Sequence, residues 1–154
     1  MLEELADGRF QNVIGESEKL DADAVKRVIA CSGKVYYELR AYRREHAKDD
    51  VAIIRLEQQY PFPHEEFAAA LAEFPKAKEV VWCQEEPQNQ GAWYRLREYL
   101  RGDALHEQTV AYAGRPVSAS TAVGYMSKHA IQQQQLIECA FAPQLALGAT
   151  RVGV

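Results

Sequence analysis

VKRVIACSGKVYYEL, residues 25–39, decides the architecture. Its first part, Val25 to Cys31, is a short apolar run rich in β-branched residues. It does not alternate with polar residues, which is the pattern of a strand covered on both faces. Ser32-Gly33-Lys34 reads as a tight turn. Val35, Leu39 and Tyr42 then recur at i, i+4 and i+7, one face of a helix. Strand, turn and helix together make one βα unit.

The unit recurs along the chain. VAIIRL (51–56) is a second strand, broken by YPFP (60–63), with Phe67, Ala70, Leu71 and Phe74 marking a helical face that Pro75 ends. Val80 to Cys83 is a third strand, followed by a polar stretch and a helix with Trp93, Leu96 and Leu100 on one side. TVAYAG (109–114) is a fourth, followed by a polar turn and a helix through Ile131, Ile137 and Phe141. Repeated strand–helix units imply an α/β fold of three layers, a mostly parallel sheet with helices on both faces. The α/β domain is expected over residues 25–141. Residues 1–24 read as an acidic arm or linker anchored by Phe10, Val13 and Ile14, and residues 142–154 as a C-terminal tail.

The length of 154 residues suits one domain with a real core. A net charge of −4 leaves no electrostatic footprint for nucleic acid or an anionic membrane surface. No stretch approaches the ~20 apolar residues of a membrane span, and MLEELADGRF (1–10) lacks the pattern of a signal peptide. A cytoplasmic or organellar setting is therefore expected. Cys31, Cys83 and Cys139 are widely spaced and flanked by apolar residues, with no CxxC pair, so they read as buried structural thiols and not as a metal or redox site.

In a parallel sheet, ligands and partners meet the loops at the carboxyl ends of the strands. Those loops hold the chemistry worth weighing. Ser32-Gly33-Lys34, with Arg115 from the last loop, offers a turn, a helix start and two cations suited to an anion. The plainer reading is that Ser32 caps the helix and Gly33 permits the turn. In WCQEEPQNQGAWY (82–94), Glu85 and Glu86 are adjacent, so in extended chain they face opposite ways and do not converge as an acid/base pair. One of them is expected to be held by a local partner, with Arg55 and Arg115 as candidates. Gln88, Asn89 and Gln90 suit fixing a loop or meeting another backbone. Gly91 points to a close approach, while Trp93 and Tyr94 fit either an interface or the core. The histidines are scattered, with no HExxH pair and no nucleophile elbow, so neither a metal site nor a triad is arguable.

Four segments carry a more specific signal. VIACSGKVYYEL (28–39), VAIIRLEQQYPFP (51–63), VWCQEEPQNQGAWY (81–94) and YAGRPVSASTAVGYMSKHAIQQQQLIECAF (112–141) resemble the C-terminal domain of the 2-oxoglutarate dehydrogenase E1 component. The resemblance runs from about Leu2 to Phe141, in the family's order. It implies a transketolase-like C-terminal domain belonging to a thiamine diphosphate- and magnesium-dependent parent enzyme. That parent decarboxylates 2-oxoglutarate and succinylates a lipoyl group on the dihydrolipoyl succinyltransferase E2. The cofactor motifs lie in the family's upstream domains, so no catalytic, cofactor-binding or metal-binding residue carries over, and the chain is expected to be inactive alone and to bind no cofactor. An excised domain, or one piece of a split protein, is expected. The implied partners are the upstream thiamine-binding domains and an E1 homodimer, with Gln84, Glu85, Glu86, Asn89, Gln90, Trp93 and Tyr94 as candidate interface. Two alternatives stay open: a regulatory module binding a nucleotide or acyl-CoA through Ser32, Gly33, Lys34 and Arg115, and a sibling E1 acting on another 2-oxo acid such as 2-oxoadipate. A bacterial cytoplasm is favoured over a mitochondrial matrix.

Overall fold

The structure, a computed structural model, describes residues 8–101 and 108–143. The expected tail lies almost wholly outside these residues. The element order is β1 (Val13–Ile14), β2 (Arg27–Cys31), α1 (Val35–Glu45), β3 (Val51–Leu56), α2 (His64–Ala72), β4 (Glu79–Pro87), α3 (Trp93–Arg101), β5 (Thr109–Arg115) and α4 (Met126–Phe141). The sheet runs β1-β3-β2-β4-β5, parallel throughout except for β1.

The strand residues alternate between two cores. Val28, Ala30, Ala52, Ile54, Val80 and Trp82 face one side, where Phe67 and Leu71 of α2 and Leu96 and Leu100 of α3 cover them. Ile29, Cys31, Ile53, Val81 and Cys83 face the other, beneath Leu39 of α1 and Leu136, Ile137 and Phe141 of α4. Every residue of β2 is buried, Arg27 included, and the apolar run Val28–Cys31 is what a strand with helices above and below requires. This is the three-layer α/β fold that the repeated units imply. Arg27, at the start of β2, donates to Glu79 at 2.6 Å and to the carbonyl of Ala142 at 2.7 Å, so a cation closes the carboxyl end of α4.

Four local expectations are corrected. The stretch read as an arm contributes β1, antiparallel to β3 with Val13 opposite Leu56, and two residues are too few to show a period. The third strand does not stop at Cys83 but continues to Pro87. Its polar end pairs with β5 past an irregularity, Cys83 opposite Ala113 but Pro87 opposite Arg115, so β4 advances faster than its neighbour. Ser32 does not cap α1: Lys34 holds the N-cap position, without a side-chain capping bond. Gly33, at φ +71°, makes the turn as expected. Ile131 is exposed on α4; it stands six residues before Ile137 and so falls off the buried stripe.

Candidate functional site

The chain leaves β2 toward β3 on one side and later returns to place β4 on the other. The crevice at such a change of direction is where open α/β sheets bind. A groove of about 700 Å³ opens there, between Ser32–Lys34 after β2 and Gln84–Glu86 of β4, with Tyr60 and Arg95 on its rim.

Glu85 organises one side of it. Lys34 Nζ donates to Glu85 Oε1 at 2.5 Å and lies 3.5 Å from Glu38. The hydrogen bond to Glu85 is the main cause that holds the Lys34 ammonium above its ordinary pKa. Gln133 Nε2, from α4, donates to both Glu85 and Glu38 at 3.0 and 2.9 Å. The expected local partner of a glutamate is thus present, but it is Lys34 and Gln133 and neither arginine. Arg55 instead holds Glu57 at 2.7 Å, and the same Glu57 oxygen receives the amide of Gly33 at 3.4 Å. The turn read as an anion cradle therefore already faces the chain's own carboxylates.

Arg115 is not part of that cradle. It is buried, and it donates to the backbone carbonyl of Glu85, to Gln133 Oε1 at 2.9 Å and to His129 Nδ1 at 3.2 Å. In this arrangement the Arg115 guanidinium is committed to those inward partners, while Lys34 is held by Glu85. A guanidinium only donates, so His129 Nδ1 is the acceptor in that pair.

The amides fix loops. Gln84 is buried; its Oε1 accepts from Trp82 Nε1 at 2.8 Å and from the backbone of Trp93 at 3.0 Å, and its Nε2 donates to the carbonyls of Glu86 and Pro87 at 3.2 Å each. The bond from Trp93 ties the end of β4 to the start of α3, and the other three hold the end of β4 in shape. Gly91 leaves room for it: a Cβ there would lie 2.2 Å from Gln84 Nε2. Asn89 exchanges two bonds with the backbone of Ser118, at 2.9 and 3.0 Å, and Gln90 donates to the carbonyls of Ser118 and Ser120 at 2.6 and 3.1 Å. Two loops are thereby locked side by side. Trp93 packs inside the core against Tyr112. Gln84 and Trp93 are thus core-forming, and of the expected interface residues Glu86, Asn89 and Tyr94 face solvent.

Tyr94 belongs to the expected interface, whereas Tyr37, Tyr60, Val117, Tyr125 and Met126 escaped the sequence reading. Tyr60, beside a cis peptide bond to Pro61, is 71% exposed, and Met126 is 81% exposed. Tyr37 and Tyr94 are exposed in the first turns of α1 and α3, and Val117 and Tyr125 in the segment leading into α4. All lie at the carboxyl edge of the sheet. The available signal was an aromatic residue or Met within the first turn after a βα loop.

The described residues contain no group of three or more His, Cys, Asp or Glu side chains able to hold a metal ion. Among them no helix is long and apolar enough to cross a membrane.

Comparison with known proteins adds a family to this geometry. Residues 1–141 match the family described as 2-oxoglutarate dehydrogenase C-terminal. The chain is 55% identical over 141 residues to the 2-oxoglutarate dehydrogenase E1 component of Cupriavidus necator, covering 92% of this chain and 15% of that protein. It is 55% identical over 137 residues to that of Haemophilus influenzae, covering 89% and 15%. It is 43% identical to the oxoglutarate dehydrogenase of Buchnera aphidicola, covering 88% and 15%. The chain thus spans about 15% of the length of these relatives. Among solved structures, a split-gene transketolase described as an inactive β4 tetramer superposes with a TM-score of 0.60 at 12% identity, covering 86% of this chain and 41% of that one. At that identity the likeness is one of fold.

Proposed function

Because the chain belongs to the 2-oxoglutarate dehydrogenase C-terminal family, we propose that it is the C-terminal domain of an E1 component and supports that enzyme structurally. The parent reaction is the oxidative decarboxylation of 2-oxoglutarate, with transfer of the succinyl group to the lipoyl group of E2. The observation that supports this best is 55% identity across 92% of the chain to a protein named as that E1 component, of which the chain matches 15%. Thiamine diphosphate and magnesium belong to the remainder of such an enzyme. When bound there, the diphosphate cofactor supplies the carbanion chemistry of 2-oxo acid decarboxylation. This domain's contribution is packing against the thiamine-binding domains and within an E1 dimer. The relatives come from bacteria, in keeping with a cytoplasmic setting.

Two assays test this. The purified chain, given thiamine diphosphate, magnesium and 2-oxoglutarate, is expected to release no carbon dioxide, and turnover would overturn the reading. A chimera in which this chain replaces the matching part of the Cupriavidus necator protein is expected to decarboxylate 2-oxoglutarate. A folded chimera that prefers 2-oxoadipate, or has no activity, would count against it.

A further inference from the structure

We infer that the carboxyl edge of the sheet docks on the polypeptide that precedes this domain in the longer family members, with Tyr60, Tyr94, Tyr125 and Met126 as its apolar contacts. The inference rests on the structural role proposed above and names the surface that performs it.

Three observations converge on this face. The first is the distribution of exposed apolar side chains. Tyr60, Tyr94, Tyr125 and Met126 all stand at the ends of β3, β4 and β5 or in the helix starts that follow. Scattered exposed apolar residues are ordinary, but a one-sided gathering marks a surface that meets another. Arg97 lies over the Tyr94 ring at 4.9 Å and Lys128 over the Tyr125 ring at 5.8 Å, so two of the tyrosines keep a cation beside them, while the amides of Asn89 and Gln90 are spent on the neighbouring loop.

The second is the overhang of α4. Met126 lies seven and eleven residues before Gln133 and Ile137, on one helical stripe. Gln133 and Ile137 are buried, whereas Met126 is exposed. The core-facing stripe of α4 thus runs past the end of its own core, with apolar surface aimed where this domain places nothing.

The third is the point where the chain enters. β1 runs antiparallel to β3, so the residues before it extend beyond the carboxyl end of β3. The Asn12 carbonyl accepts from the amides of both Glu57 and Gln58, just past that end, and Phe10 is exposed farther out. In relatives where this C-terminal family accounts for 15% of the length, most of the polypeptide comes before the matched part and reaches the fold at this edge. A preceding domain is therefore tethered beside the apolar patch, which raises its effective concentration there above that of any free partner. Interfaces between domains of one chain bury roughly 600–1,500 Å², a scale that suits a sheet edge of this breadth.

Hydroxyl-radical labelling read by mass spectrometry tests the assignment, since tyrosine and methionine side chains report their own exposure. The chain alone is compared with the folded chimera carrying it on the Cupriavidus necator protein. Labelling of Tyr60, Tyr125 and Met126 is expected to fall about fivefold or more in the chimera, while Ile131, on the outer face of α4, changes less than about twofold. Equal labelling of the edge in both proteins would overturn the inference. Protection already present in the chain alone and rising with its concentration would also overturn it, because the occupant would then be a second copy. A second measurement guards against a merely local effect. The pair Tyr60→Ser and Met126→Ser is expected to lower the melting temperature of the chimera and leave that of the chain unchanged; an equal drop in both would refute docking. The decarboxylase assay separates the two readings. An active chimera with an unprotected edge sinks the docking surface alone, and an inactive chimera with a protected edge sinks the parent activity alone.

Discussion

Glu16 and Arg43 form an ion pair from which water is almost excluded, their side chains being 3% and 2% exposed. Arg43 donates to both carboxylate oxygens and to the carbonyl of Val51 at 3.2 Å. Burial disfavours the charge on Arg43, but the hydrogen bond and charge of Glu16 outweigh it and hold the pKa above its ordinary value. The segment before β2, the helix α1 and the strand β3 are thereby joined at one point.

Removing Glu16 leaves Arg43 buried with Glu18, 3.2 Å away, as its remaining carboxylate, and removing Arg43 leaves Glu16 buried without its ion-pair partner. Glu16→Ala is expected to destabilise the domain by about 3–5 kcal/mol, and the double change Glu16→Leu with Arg43→Met by much less than the sum of the single changes. Urea unfolding of the four proteins in a double-mutant cycle measures this.

Acid sensitivity centres on Glu18. Burial alone would raise its pKa, but the hydrogen bond from Arg40 and the charges of Arg43 and Arg44 outweigh it and hold it below 4.5. A carboxylate with a depressed folded-state pKa stabilises the fold above its unfolded pKa, and that contribution disappears as pH falls through the folded value. The urea midpoint is therefore expected to drop between about pH 5 and pH 3, and Glu18→Gln to flatten part of that drop while lowering the midpoint at neutral pH. An unchanged pH profile in Glu18→Gln would contradict the assignment.

The close contact at Gly91 makes a sharp steric test. A Cβ at Gly91 meets the Gln84 amide, which cannot swing aside without releasing Trp82 and Trp93. Gly91→Ala is expected to cost about 1–3 kcal/mol. Gln84→Met keeps the volume but orphans two donors, at about 1–3 kcal/mol for each. Thermal melts followed by tryptophan fluorescence read both variants, since Gln84 touches both indole-bearing residues.

Cys31 and Cys83 should be silent in the folded protein, whereas Cys139, expected to be buried, is only part-buried. Burial pushes Cys31 up to about 12 and Cys83 well above the ordinary thiol range. Only the thiolate reacts with maleimide, so at about pH 8 both are expected to be modified at least ~100-fold faster in denaturant than in the native protein. Rapid native labelling of either one would show that the core opens at that point.

Much of this architecture was legible in the residues. The βα units announce themselves because strands buried on both faces need β-branched runs, and helices on such a sheet need a 3.6-residue stripe. What escaped reading depended on contacts between distant segments. Val13 and Ile14 form a strand only because β3 offers them partners. Gln84 through Pro87 look like a loop, being polar, yet they pair with β5 across an irregular register. The inward turn of Arg115 is set by Gln133 and His129, which lie 18 and 14 residues away in the sequence. At the site itself, the close approach at Gly91 was readable from the glycine, and the adjacency of Glu85 and Glu86 pointed to one of them being held without saying which. The choice of Lys34 over two arginines was not, because it depends on where the first turn of α1 stops.

The shortness of β1 has a consequence for solubility. After Ile14 the chain departs from β3, and the amide of Ile53, which would next seek a strand partner, is bonded by Glu16 Oε2 at 2.7 Å. On this flank the sheet ends in a buried charge and not in a row of open amides. An intruding strand from another molecule would have to displace a carboxylate that Arg43 also holds, so this flank is guarded against edge-to-edge aggregation.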